Sequence, residues 1–242
     1  MITKSQLKYI QSLGQKKYRD EEGVFIAEGP KLVKELLQNR NAEAKYLYAL
    51  NEWKQSNKED LLKIDIAEIT EAELEKISLL KTPNQVFAVF KKFEIKEPVT
   101  KGKISLVLDG IRDPGNMGTI IRIADWFAIS QIICSMDCAD LYNPRVVQAT
   151  MGSIAEVQVF YTDLQNWLQQ ETTRIYAALL HGKDITGMNA LNEGLIVIGN
   201  ESKGISDELL PYVNEKITIP KKGKAESLNA AVATGIILSY LV

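Results

Sequence analysis

Three glycine-bearing segments in the second half of the chain hold the residues best suited to chemistry. They are DPGNMG (Asp113 to Gly118), GNESKG (Gly199 to Gly204) and IPKKGKAESLN (Ile219 to Asn229). Each follows a stretch that reads as a strand, and two run directly into stretches that read as helices. In an open α/β sheet, ligands sit beyond the carboxyl ends of the strands. Glycine lets backbone amides and carbonyls come close to such a ligand. Three loops at one sheet edge could therefore form one site, the other reading being three structural turns. There is no G-x-G-x-x-G after a strand and no Walker lysine motif, so the common phosphate cradles are excluded. Cys134 and Cys138 form a lone C-x-x-x-C. It lacks the second ligand pair of a structural zinc site, so the two read as reduced core thiols and no metal is expected. His181, the only histidine, lies outside all three segments and reads as structural.

The elements that must position these loops show an alternating pattern. Ile104 to Leu108 reads as a buried strand, followed by the first loop and a helix from about Thr119 to Phe127. Ser130 to Cys134 reads as a strand and Asn143 to Met151 as a helix. Strands follow at Arg174 to Leu179, Gly194 to Ile198 and Lys216 to Ile219, then a closing helix at Leu228 to Leu241. Strands alternating with helices imply a mostly parallel sheet covered on both faces. Upstream, helices are expected over Lys4 to Leu13 and from Pro30 to Leu37. A further helix should follow Thr70, whose spacing to Glu73 is that of a capping box. Strands are expected at Val24 to Gly29, Lys45 to Leu50 and Gln85 to Phe90. This part reads as a small α/β sandwich. Between the two parts, Lys91 to Lys103 (KKFEIKEPVTKGK) is charged, has little apolar periodicity and reads as a linker. The expected division is residues 1–92, a linker at 93–103, and 104–242.

With 242 residues and 45% hydrophobic composition, the chain can bury a core without disulfides or metals. Met1 to Leu13 has no apolar signal-peptide core, and no run approaches the ~20 apolar residues needed to span a bilayer. A cytoplasmic protein is expected. The net charge of −2 leaves no global nucleic-acid footprint. Its distribution is uneven, however: Met1 to Arg19 carries Lys4, Lys8, Lys16, Lys17 and Arg19 and no acidic residue. A local basic patch can hold phosphates, although a solvated helix face would look the same.

Taken together, the three loops resemble the three motifs of the SpoU family of RNA ribose methyltransferases, within the SPOUT superfamily, in the family's order. The first is DPGNMGTIIRIADWF, with Asn116, Gly118 and Arg122. The second is IVIGNESKGIS, with Gly199, Asn200, Glu201 and Gly204. The third is IPKKGKAESLNAAVA, with Pro220, Ser227, Leu228 and Asn229. VVQATMGS (Val146 to Ser153) is similar to a connecting segment of the family. The first part of the chain resembles the ribosomal-protein-like RNA-binding extension of some members, through Arg19, GVFIAEG and KTPNQVFAVF. Lys221, Ala128 and Ala230 depart from residues common in the family, which leaves the packing of the cofactor pocket open.

The resemblance implies an α/β fold whose C-terminal parallel-sheet domain is tied in a deep trefoil knot, preceded by a small α/β RNA-binding domain. It also implies a homodimer with S-adenosylmethionine as cofactor. Ile198, Gly199, Asn200, Gly204, Ile219, Pro220 and Leu228 would bind the cofactor. Lys16, Lys17, Arg19 and Arg122 would bind RNA, with ribosomal RNA favoured over transfer RNA. The implied reaction is methyl transfer to a ribose 2′-hydroxyl, a poor nucleophile that must lose its proton or be held in line. Arg122 would clamp the target phosphate, a safer role than base for a guanidinium. Asn116 would orient Arg122 or the ribose, and Glu201 would accept from Arg122 or from backbone amides. Ser227 and Asn229 read either as caps of the last helix or as substrate-side groups. An RNA-binding protein that has lost catalysis and a base methyltransferase are the competing readings.

Overall fold

The computed structural model describes residues 2–57 and 65–242. Met1, where the basic N-terminal reading begins, lies outside the described residues. The chain folds as two compact units. One is Met1–Glu94 with Tyr142–Ala155, and the other is Ile95–Leu141 with Glu156–Val242. The first unit thus takes in a segment from beyond the linker.

The first unit begins with α1 (Lys4–Ser12), whose Thr3 and Gln6 form a reciprocal capping box. The helix α2 (Lys16–Glu22) follows and stops at Gly23. Then come β1 (Val24–Glu28), α3 (Pro30–Gln38), β2 (Ala44–Ala49), α4 (Asn51–Ser56), β3 (Ala67–Glu68), α5 (Glu71–Ile77) and β4 (Val86–Lys91). The capping box expected at Thr70 is present, with Glu73 bonded back to Thr70. The sheet order is β1-β4-β2-β3, antiparallel except for the β2–β3 pair.

Period-two alternation sorts β1 and β4 onto two faces. Val24, Ile26, Phe87 and Val89 join a core with Ile10, Leu13, Leu74 and Ile77. Phe25 and Phe90 lie on the other face, stacked at 5.6 Å, and the ring of Tyr142 lies 5.2 Å from Phe25. Tyr142 leads into α7 (Pro144–Thr150), which packs against β1. This aromatic contact explains why residues 142–155 belong with the first unit, although they fall between strands of the second.

The second unit starts with β5 (Ile104–Leu108), α6 (Pro114–Trp126) and β6 (Gln131–Ser135). It continues through β7 (Gln158–Thr162), α8 (Leu164–Leu168), β8 (Ile175–Asp184), β9 (Gly194–Ile198), β10 (Glu215–Thr218) and α9 (Ala230–Leu241). Its six strands are all parallel, in the order β10-β8-β9-β5-β6-β7. The central strands β5 and β9 are almost wholly buried, as a sheet covered on both faces requires. The α6 and α9 helices pack against each other.

Several boundaries differ from the sequence reading. The α6 helix starts at Pro114 instead of about Thr119, because Asp113 caps it and Pro114 suits its first position. Most of the supposed first loop is therefore helix. The β8 strand runs on to Asp184 and leaves His181 exposed, so the structural role assigned to that histidine has no burial behind it. The α2 and α4 helices are short and polar and carry no apolar stripe. The β7 strand is an edge strand with only partial burial and so alternates weakly.

Arg19 also departs from its expectation. It is only 2% exposed, and its guanidinium donates to the carbonyls of Leu13 and Gly14 at 3.0 and 2.9 Å. It holds the turn between α1 and α2, so it is not a surface contact for RNA. Lys16 and Lys17 remain exposed. Replacing Arg19 with alanine strands buried carbonyls, which costs about 1–3 kcal/mol or more. The expected outcome of Arg19→Ala is faster amide exchange across α2 and β1, while α6 and α9 of the second unit are unchanged.

Candidate active site

The three loops meet at the carboxyl end of the second unit's sheet. Asp109, at the end of β5, is buried, and its carboxylate accepts from the Ser206 amide at 2.7 Å. Its own amide donates to the Ile198 carbonyl at 2.9 Å. Asn200 donates its side-chain amide to the Gly110 carbonyl at 2.8 Å, and its side-chain oxygen accepts from the amides of Ser202 and Lys203. These bonds tie the β9 loop to the β5 loop. Asn200 and Gly204 also exchange backbone bonds at 3.0 and 2.8 Å, closing the second motif into a tight turn. Gly199 is required there by close approach, since a Cβ at this position would collide with the Gly204 carbonyl group.

The side chains of Asn116, Glu201 and Asn229 form a chain across all three motifs. Asn229 caps α9, its oxygen accepting from the amides of Ala231 and Val232 at 3.0 and 3.2 Å. Its NH2 group must then face outward, where it donates to Asn116 Oδ1 at 2.8 Å. That leaves the NH2 group of Asn116 to donate to Glu201 Oε1. The helix terminus therefore fixes the polarity of both amides and demands an acceptor at position 201.

Arg122 projects from α6 into solvent and has no hydrogen-bond or ion-pair partner among the described residues. Neither the Asn116–Arg122 nor the Glu201–Arg122 contact foreseen from the sequence is formed. Ser227 lies two residues before the cap and is exposed, and Asn229 alone caps α9. Ile198 is buried, Gly199, Asn200 and Ile219 are half-buried, and Gly204 and Pro220 are exposed. Leu228 is 45% exposed, an apolar side chain left open at the end of the third motif.

Sequence reading missed two of the residues behind the first loop, Ser135 and Asp137, and saw Cys138 only as a core thiol. Ser135 accepts from the Gly110 amide at 2.9 Å and donates to Asp137 at 2.7 Å, and Asp137 pairs with Arg112 at 2.6 Å. The Ser135 bond first, then Arg112, holds the Asp137 carboxyl below its usual range. Cys138 accepts from the Ile111 amide at 3.2 Å, and a hydrogen bond with Cys134 draws its thiol down to about 7. Burial pushes the Cys134 thiol up. Both cysteines are free and buried. The clue was the short run from the last residue of β6, Ser135 to Asp140, where sequence reading singles out Cys138 alone.

The SpoU rRNA Methylase family model matches residues 103–239, more than half of the chain. The chain belongs to the SpoU rRNA methylase family. An MRM3-like substrate binding domain matches residues 4–88. Among curated relatives, the 23S rRNA (guanosine(2553)-2'-O)-methyltransferase RlmP of Bacillus subtilis is 28% identical over 230 residues, covering 93% of this chain and 91% of that protein. Among solved structures, a TrmH-family protein from Porphyromonas gingivalis superposes with a TM-score of 0.85 at 34% identity, covering 99% of this chain and 98% of that one. An AdoMet-bound rRNA methyltransferase from Sinorhizobium meliloti superposes with a TM-score of 0.85 at 30% identity, covering 98% and 94%. The SpoU family membership expected from the three motifs thus holds, as does the parallel-sheet α/β domain.

Polarity in the amide chain can be tested directly. Asn116→Asp puts a carboxylate oxygen against Glu201 and should loosen residues 199–205, seen as faster amide exchange there. Adding Glu201→Gln supplies the missing donor. The double variant should recover protection, with a coupling of roughly 0.5–3 kcal/mol between the two sites.

Proposed function

We propose that this chain is an S-adenosylmethionine-dependent methyltransferase acting on a ribose 2′-hydroxyl of RNA, with ribosomal RNA the favoured substrate. The observation that carries the reading is the joining of all three SpoU motifs by the Asn116–Glu201–Asn229 chain, with the unpaired guanidinium of Arg122 on the same helix.

The residues present fit the cofactor. The tight 199–204 turn keeps backbone close, and Leu228 offers exposed apolar surface in the third motif. Ile198, Gly199, Asn200, Gly204, Ile219, Pro220 and Leu228 would hold it. When bound, the cofactor supplies an electrophilic methyl group on a sulfonium. Arg122, planar and permanently charged, suits bidentate capture of the phosphate next to the target ribose. Holding that phosphate fixes the 2′-oxygen in line, and the phosphate can take up the hydroxyl proton. Asn116, Glu201 and Asn229 position the loops around the ribose, and Ser227 remains open to substrate.

The finer features form part of the same proposal. The C-terminal passage from β9 to α9 is read as a trefoil knot, supported by the ties of Asn200 and Ser206 to the end of β5 and its loop. A cytoplasmic, metal-free homodimer is proposed. Trp126 on α6 is 85% exposed, and Val232 and Tyr240 are exposed on the neighbouring α9. Such an apolar surface on two packed helices suits a second copy of the chain. The first unit, with exposed Lys16 and Lys17, is assigned to capture of RNA.

Calorimetry tests the cofactor site. Wild type should bind S-adenosylmethionine saturably, and Leu228→Arg should abolish binding. A folded wild type that binds none at millimolar cofactor would undo the proposal. Arg122→Ala should keep cofactor binding and lose roughly 10²–10⁴-fold in methyl transfer. In sedimentation, Trp126→Glu should shift the protein from dimer to monomer.

A further inference from the structure

A cavity in the first unit is not used by any of this chemistry. It has a volume of about 270 Å³ and is lined by Ile26, Glu28, Leu79, Leu80 and Pro144, and by Arg145, Gln148 and Ala149 of α7. Its chemistry is divided. Ile26, Leu79, Leu80, Pro144 and Ala149 give it apolar walls. Within them sits Glu28, a carboxyl only 4% exposed. Ser78 donates its hydroxyl to one Glu28 oxygen, and the Leu79 amide donates to the other at 2.9 Å. Each oxygen keeps a second lone pair. Burial holds the Glu28 carboxyl above its usual range.

Two further polar groups line the cavity from one helix. Arg145 and Gln148 are three residues apart on α7 and so share a face. Neither side chain has a hydrogen-bond or ion-pair partner among the described residues. Arg145 is exposed, whereas Gln148 is half-buried. A buried acceptor, a free amide, apolar walls and an unpaired cation at the surface together match one chemical object: an unpaired nucleotide. Its flat base would lie against the apolar walls. Its polar edge would meet Glu28 and Gln148, and its phosphate would meet Arg145. Proteins read single-stranded RNA by packing against base faces and by hydrogen bonds to base edges; here aliphatic side chains would take the face that aromatic rings often cover.

We propose that this cavity binds one splayed-out nucleotide of the RNA substrate, preferring a base with an exocyclic amine that can donate to Glu28. The inference rests on the RNA-methyltransferase reading and adds to it a second point of contact, apart from the three SpoU motifs. It would let the first unit choose an RNA segment by an unpaired base as well as by charge.

The test uses the full-length protein and fluorescein-labelled RNA octamers of A, C or U, with a duplex of equal length, read by anisotropy. Wild type should bind the A and C octamers more tightly than the U octamer. Gln148→Trp, which fills the cavity, should weaken the A and C octamers by about tenfold and leave the duplex unchanged. Glu28→Gln should narrow the difference between C and U. An unchanged octamer affinity in Gln148→Trp, an equal loss on octamer and duplex, or no octamer binding by wild type would each overturn the proposal. S-adenosylmethionine calorimetry on the same samples separates the two ideas. Cofactor binding retained with octamers indifferent to Gln148→Trp sinks the cavity alone. A wild type without cofactor binding sinks the methyltransferase reading, while the octamer data still decide the cavity.

Discussion

The candidate site depends on one constraint: a helix terminus must satisfy its first amides, and it does so with the oxygen of Asn229. From that bond, the orientation of every amide in the chain follows. The NH2 group of Asn229 turns to Asn116, the NH2 group of Asn116 turns to Glu201, and Glu201 must accept. Three loops that are separated by as many as 113 residues are thereby joined by side-chain hydrogen bonds. Because both amides are directional, the arrangement tolerates few substitutions. An aspartate or a leucine in the middle of the chain breaks it, whatever its size.

The chain of side-chain bonds sits on a backbone frame that is independent of it. Asp109 and Asn200 tie the ends of β5 and β9 together, and Gly199 permits the turn between them. Ser135, Asp137 and Cys138 support the first loop from behind. The frame holds the loops in place, and the amide chain sets which groups face outward. Arg122 is left unpaired by both. Its exposed guanidinium on α6 is open to a phosphate, as are the exposed lysines of the second and third motifs, Lys203, Lys221, Lys222 and Lys224.

Much of this was legible in the sequence, for identifiable reasons. The buried strands β5 and β9 are short apolar runs, and the Thr70 box and the Pro30 start are local signals. The three motifs carried the family resemblance, and the residues now joined by hydrogen bonds lay within them. What the sequence hid was mostly long-range. Arg19 looked like part of a basic surface, but its burial depends on the turn between two helices. The 142–155 segment looked like part of the second domain, because the Phe25–Tyr142 ring contact spans more than a hundred residues. The start of α6 was a local error: the glycines of DPGNMG drew attention from the Asp-Pro pair that starts a helix. The partners of Asn116 could not be read either, since the direction of an amide is set by its neighbours in space.

The central claim is that the methyl group goes to a ribose oxygen. The most direct measurement is to incubate the protein with unmodified ribosomal RNA and methyl-labelled S-adenosylmethionine, then hydrolyse the RNA in alkali. A 2′-O-methyl group blocks cleavage of the neighbouring phosphodiester, so the label should appear in alkali-resistant dinucleotides. Label confined to mononucleotides would place the methyl group on a base, and RNA that binds but stays unlabelled would mark a binding protein. Either result would contradict the account.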